Sequence, residues 1–192
     1  MRTRNLLVCL LFACASAGTA LAANPPGQAP AQPVMTPVPA AAPADVQSID
    51  AIVGALYDVI SGPVGKARDW KRMRSLFVPG GRLMAVVPRR DGAGGMGLYV
   101  LSVNDYIAIS GPLLEKTGFH ERELARRTDR FGHIAQVFST YEGRMDSDPA
   151  KPMRGINSIE LMNDGTRWWV VSVYWEDERA DNPLPPAYLP RS

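Results

Sequence analysis

Residues 153–177 read MRGINSIELMNDGTRWWVVSVYWED. Two period-two runs, 153–162 and 167–176, flank Asn163-Asp164-Gly165, and all three of these residues tolerate the positive φ of a tight hairpin turn. The pair is therefore two antiparallel strands. One side of the second strand carries Trp168, Val170, Ser172 and Tyr174, and the other Trp169, Val171, Val173 and Trp175. Both sides are apolar. An antiparallel sheet with helices on one side and water on the other alternates cleanly, so something is expected to cover the second side. A second copy of the chain through Trp168, Val170, Ser172 and Tyr174 is the economical answer, with the C-terminal tail or the Gly143–Pro152 loop as alternatives.

Upstream, period-two segments at about 119–127 and 132–142 add two strands to the meander. Still earlier, Val46, Ile49, Ile52, Val53, Leu56, Val59 and Ile60 recur at helical spacing. This helix is expected from Asp45 to the Gly62-Pro63 stop. Asp69 caps a second, 69–77, ended by Pro79-Gly80-Gly81. Leu83–Val87 is a strand, and a short apolar run follows at 98–101. Ser102-Val103-Asn104-Asp105 is a capping box that opens a third helix, which Pro112 is expected to bend or break. The order gives an α+β fold with helices gathered on one side of a curved antiparallel sheet.

The first residues have a different character. Arg2 and Arg4 precede an apolar run, Leu6–Ala15, and Ala20-Leu21-Ala22 is a cleavage site of the secretory type. Residues 1–22 read as a signal peptide, so the chain is expected to be exported, periplasmic or secreted. The alternative is a lipid anchor on Cys14. The run is too short for a transmembrane helix. Cys9 and Cys14 both lie in this segment, so a cleaved chain has no thiol. Residues 23–44, with seven Pro, form a disordered spacer. The folded part is 45–180, and 181–192 is a Pro-rich tail. Without Arg2 and Arg4, basic and acidic residues balance at 19 each, which argues against nucleic acid as a partner.

Leu56-Tyr57-Asp58-Val59-Ile60, then Asp69-Trp70 and Leu76-Phe77-Val78-Pro79-Gly80-Gly81-Arg82-Leu83, then Ile159-Glu160-Leu161 and Asp164-Gly165-Thr166-Arg167-Trp168-Trp169-Val170-Val171 resemble an NTF2-like (SnoaL-like) domain. The resemblance spans about residues 46–177 and suggests an exported bacterial member. It implies an NTF2-like cone: a curved antiparallel sheet wrapped around three N-terminal and central helices, with a pocket at the open end and frequent dimerisation through the outer side of the sheet. Isomerases, dehydratases, cyclases and non-catalytic modules share that fold, so function has to come from the site.

Pocket candidates are Tyr57, Trp70, Tyr106, Phe138, Asn157 and Trp175: aromatic walls with a few fixed polar groups. A buried carboxylate beside them would be the functional signal, because burial raises its pKa. Glu121 and Glu123 share one side of their strand and are the candidates, which with Tyr57 and Tyr106 make the weak catalytic set. Tyr57 stands where the ketosteroid-isomerase branch keeps a tyrosine donor. That branch also needs a carboxylate just after the first strand, and Pro88-Arg89-Arg90 stands there instead.

Other motifs carry less. Gly92–Gly97 matches G-x-G-x-x-G, but a strand-like run follows it where the dinucleotide fingerprint needs a helix, so no cofactor is expected. His120 and His133 fall far apart on neighbouring strands, residue 120 pairing near 139–141, so no metal site is expected. Arg68, Lys71, Arg72 and Arg74 read as a solvated helix face. Three functions follow: an exported homodimer binding a small apolar molecule; a pocket lyase, isomerase or hydrolase using a tyrosine and a carboxylate; or an assembly module with a filled pocket.

Overall fold

The structure, a computed structural model, describes residues 37–92 and 94–190. The expected signal peptide with Cys14, and spacer residues 23–36, lie outside them. The first helical region is two helices rather than one. Helix α1 (Pro43–Val46) ends at Gln47, and Ser48 caps α2 (Ile49–Ile60) by accepting the Ala51 N–H at 3.0 Å. A serine that binds its own third residue starts a helix in preference to continuing one. Helix α3 (Trp70–Leu76) is capped by Asp69, whose carboxylate accepts the Arg72 N–H at 2.8 Å.

Strand β1 (Phe77–Pro88) begins directly after α3 and runs through the Pro-Gly-Gly expected to end the helix. There Gly80 takes φ +82°, and a Cβ on Gly81 would stand 2.9 Å from the Phe77 ring. The two glycines let the strand bend over a fully buried Phe77. Strand β2 (Met96–Ser102) returns antiparallel, and helix α4 (Val103–Thr117) opens on the Ser102/Asp105 capping box. Pro112 does not break α4. Pro112 and Ala108, whose carbonyl loses its partner, are both exposed, so water can take the bond.

The meander follows as β3 (His120–Phe131), β4 (Ile134–Arg144), β5 (Met153–Asn163) and β6 (Trp168–Asp177). Sheet order is β2-β1-β6-β5-β4-β3, with β1 and β6 parallel and every other pair antiparallel. The β3–β4 turn comes later than expected, at Gly132-His133, so His120 pairs with Arg144 and not with 139–141. The six-stranded curved sheet holds the helices against its inner side, where Ile52, Val53, Leu76, Phe77, Val137 and Val170 are at most 1 % exposed.

Two bulges change which residues face inward. In β6 a register shift at Val171 puts Trp168 and Val170 inward together with Val173. Trp168 (4 % exposed) and Val170 (0 %) are therefore core residues and not the outer contact expected of them, while Ser172 and Tyr174 keep the outer side. A bulge adds one residue to one strand and reverses the alternation beyond it. In β3 the shift at Leu124 brings Arg126 onto the side of Glu123. The outer side is partly covered by the chain's own tail. Thr140 donates to the Tyr188 carbonyl at 2.6 Å, the Tyr188 ring lies 5.2 Å from Phe138, and Arg127 stands 5.0 Å above it.

Candidate functional site

Two rows of the β-ladder run beneath a cavity of about 270 Å³ between α2, α4 and the inner side of the sheet, which Trp175, Asn157, Asp177 and Tyr141 of those rows line. One row runs Trp175, Asn157, Ser139, Arg126 across β6, β5, β4 and β3; the next runs Asp177, Gly155, Tyr141, Glu123. Gly155 is what joins the second row. A Cβ there would meet the Tyr141 hydroxyl at 2.3 Å, so only glycine lets that ring lie across β5 and donate to the Asp177 carboxylate. Aliphatic and aromatic side chains close the walls, among them Leu56, Ile60, Tyr106, Leu114, Phe119 and Val173.

Helix α2 and strand β3 are tied at the cavity by one hydroxyl. Ser61, after the last turn of α2, donates to the Tyr57 carbonyl at 2.7 Å and accepts the Glu121 N–H at 2.9 Å. Below it, Gly62 and Phe119 exchange backbone hydrogen bonds at 2.7 and 2.9 Å. Arg68 locks the same corner. It is 7 % exposed, and its guanidinium donates to the carbonyls of Ile60 (2.9 Å), Gly62 (2.6 Å) and Leu114 (3.1 Å), and also to Lys66. The solvated face expected for Arg68 is corrected: its guanidinium serves backbone carbonyls at the end of α2, in the loop after it and in the last turn of α4. Arg72 pairs with Asp45 and Asp58.

The polar groups form a directed chain. The Glu123 carboxylate is held by Arg126 at 2.6 Å and can only accept, so the Ser139 hydroxyl donates to it at 2.5 Å. Ser139 has a single hydrogen. The 2.7 Å contact between Ser139 and Tyr57 therefore carries the Tyr57 hydrogen. The Asn157 amide nitrogen donates to the Tyr57 oxygen and to Glu121 Oε1, both at 3.2 Å. The other oxygen of Glu121 makes no hydrogen bond among the described residues and is not sealed off, so it opens on the cavity that Glu121 lines. Burial pushes the Glu121 carboxyl up to about 7; Asn157 opposes that shift and the negative Asp177 adds to it. Burial likewise raises Tyr57, Tyr106 and Tyr141 above the ordinary tyrosine range, so all three remain protonated at neutral pH.

Of the residues singled out in the sequence, Tyr57, Tyr106, Glu121, Asn157 and Trp175 line this one cavity. Trp70 and Phe138 do not. Trp70 packs under α4, where a Cβ on Gly111 would touch its ring at 3.2 Å. Phe138 points to the outer side against Tyr188, because its neighbours Val137 and Ser139 take the inward positions. Glu123 stands behind the wall in its pair with Arg126 and does not line the cavity. Ser139, Tyr141 and Asp177 were not among the candidates. Gly155 opposite Tyr141 was the one local sign that a large side chain crosses there.

Among the described residues no group of three or more His, Cys, Asp or Glu could hold a metal ion, and no helix is long and apolar enough to cross a membrane. His120 contacts Asp146 at 3.3 Å.

This curved sheet, with helices inside it and a pocket at one end, is the NTF2-like fold. A candidate dehydratase of the NTF2-like family from Streptomyces avermitilis superposes with a TM-score of 0.52 at 16 % identity, over 71 % of this chain and 97 % of that one. A protein of unknown function with a cystatin-like fold from Nostoc punctiforme gives 0.52 at 9 % identity, over 70 % and 91 %. No family model and no curated protein sequence matches the chain.

Proposed function

We propose that the cone pocket holds a small, largely apolar molecule whose one polar head meets Glu121. The observation that carries this is the free Glu121 oxygen opening into a cavity with otherwise mainly apolar walls. Its volume is just under the roughly 300–1,000 Å³ usual for ligand sites, which fits a molecule of about one ring. An open cavity also weighs against an assembly module with a filled pocket. Native mass spectrometry of the protein from its own compartment tests the reading: one small molecule per chain is expected, and a chain free of ligand would count against it.

A second reading has its own support. A carboxyl that titrates near pH 7 can both give and take a proton at working pH, which suits a lyase or isomerase step. Tyr57 is a poor partner for that step, since its hydrogen is committed to Ser139. If the co-purified molecule exchanges a C–H proton in D₂O with the native chain but not with Glu121→Gln, the pocket is catalytic.

We propose also that residues 1–22 export the chain and that two copies meet on the outer side of the sheet. Support for the second comes from the row Val100, Met84, Tyr174, in which Val100 is 54 % and Tyr174 43 % exposed, Tyr174 sharing a groove with Asn182–Pro185 and Tyr188 of the tail. The tail already covers the β4 end of that row. Tyr174→Glu is expected to turn a dimer into a monomer in sedimentation.

A further inference from the structure

If the cavity is a ligand site, as proposed above, its wall also specifies the charge of the head group. No Lys, Arg or His lines it, whereas two carboxylates do, Glu121 and Asp177. Most of its hydrogen-bond donors are already committed. Tyr57 gives its hydrogen to Ser139, Tyr141 gives its own to Asp177, and the Asn157 amide gives both of its hydrogens to Tyr57 and Glu121. The donors that remain are the hydroxyls of Tyr106 and Ser110 and the Trp175 indole. Against these three stand the free oxygen of Glu121, the Asn157 carbonyl and the Asp177 carboxylate. Negative charge with no cation beside it sets the polar character of a space otherwise lined by aromatic rings and aliphatic chains.

An anionic head would meet two carboxylates with no cation to offset them. A neutral carbonyl would find few donors. A cation with several N–H groups would satisfy the acceptors, neutralise Glu121 and lie against the faces of Tyr106, Phe119 or Trp175, whose negative π-faces attract it. We propose that the ligand is a small apolar primary or secondary amine, bound as its ammonium with the nitrogen on Glu121 and the hydrocarbon part among the aromatic walls. Asn157 then acts as the positioning residue that turns the Glu121 carboxylate toward the cavity, and Ser139 with Glu123 fixes the direction of that amide through Tyr57. The ionised form of Glu121 is the binding form, which the cation itself favours.

The test is calorimetric titration of the full chain at pH 8 with three molecules of one skeleton: 2-phenylethylamine, 2-phenylethanol and phenylacetate. The amine is expected to bind roughly tenfold or more tightly than the alcohol, with no binding of phenylacetate. Glu121→Gln is expected to remove the amine's advantage while alcohol affinity stays within about twofold. Asp177→Asn, which keeps the side-chain shape, is expected to remove part of that advantage and gives a second variant if the first does not fold. An alcohol or acid that matches the amine, or an advantage that survives Glu121→Gln, overturns the ammonium but leaves the pocket standing. No binding by any of the three to a chain with native circular dichroism overturns the ammonium and the ligand site together.

Discussion

The two ends of the cone use the same helix and the same strands for opposite ends. At the closed end Ile52 and Val53 of α2 meet Phe77, Val137, Leu161 and Val170, none more than 2 % exposed. One turn further along α2, Tyr57 and Ile60 face Glu121, Asn157 and Trp175 across an open space. In β4 and β5 the alternation runs through both ends, and in β6 the bulge at Val171 keeps Val170 and Trp175 on the same inner side. What changes is side-chain chemistry along the ladder rows: branched apolar residues interdigitate at one end, while Ser139, Gly155 and Asn157 leave room at the other. The closed end supplies the stability that lets the open end keep a cavity and a buried carboxylate, both of which work against folding.

The sharpest way to break this contrast is to empty the closed end. Phe77→Ala is expected to cost about 3–5 kcal/mol in urea unfolding, whereas Trp175→Ala at the open end should cost less than half of that. Equal losses would mean that the open end bears as much of the fold as the closed one.

Glu121 sharpens the contrast through pH. Its carboxyl is raised from 4.5 to about 7 in the folded chain, so the native state holds its proton more tightly than the unfolded state. Stability from this group is greatest below the unfolded pKa and falls as pH climbs from about 4.5 to 7. Glu121→Gln is therefore expected to stabilise the chain by roughly 1–3 kcal/mol at pH 8 and by nothing at pH 4, in paired denaturant curves. A gain that is the same at both pH values would show that burial does not govern this carboxyl. The smallest expected effect lies outside both ends: Ser102→Ala removes the α4 capping box at a cost of about 1 kcal/mol, with little change in the pocket's ligand affinity.

What could be read from the sequence was whatever is settled within a few residues. Asp69 and the Ser102/Asp105 box cap their helices through side chains three residues from their targets. Asn163-Asp164-Gly165 makes its turn with Gly165 at φ +97° and Asp164 accepting the Thr166 and Arg167 amides. The bulges at Leu124 and Val171 have no such local mark; they arise where one strand must match the register of its neighbour. That is why Trp168 and Val170 looked like an outer surface. Arg68 sits in a run of charges that suggests water, yet its partners Gly62 and Leu114 come from two separate elements. The pocket shows the same division. Tyr57, Asn157 and Trp175 could be picked out as aromatic or polar residues on apolar faces. The order of donors and acceptors that links them through Ser139 emerges only once four strands and a helix are assembled.

The tail that lays Tyr188 on Phe138 and Thr140 has a bearing on crowding at that side of the sheet. Because Tyr188 is tethered eleven residues beyond the end of β6, it meets its footprint at an effective concentration on the order of millimolar. A separate molecule at micromolar levels competes poorly for that footprint. The ground left to a visitor lies toward β2, where Leu98 and Val100 are exposed, so the strap acts as a fence that decides where company can land.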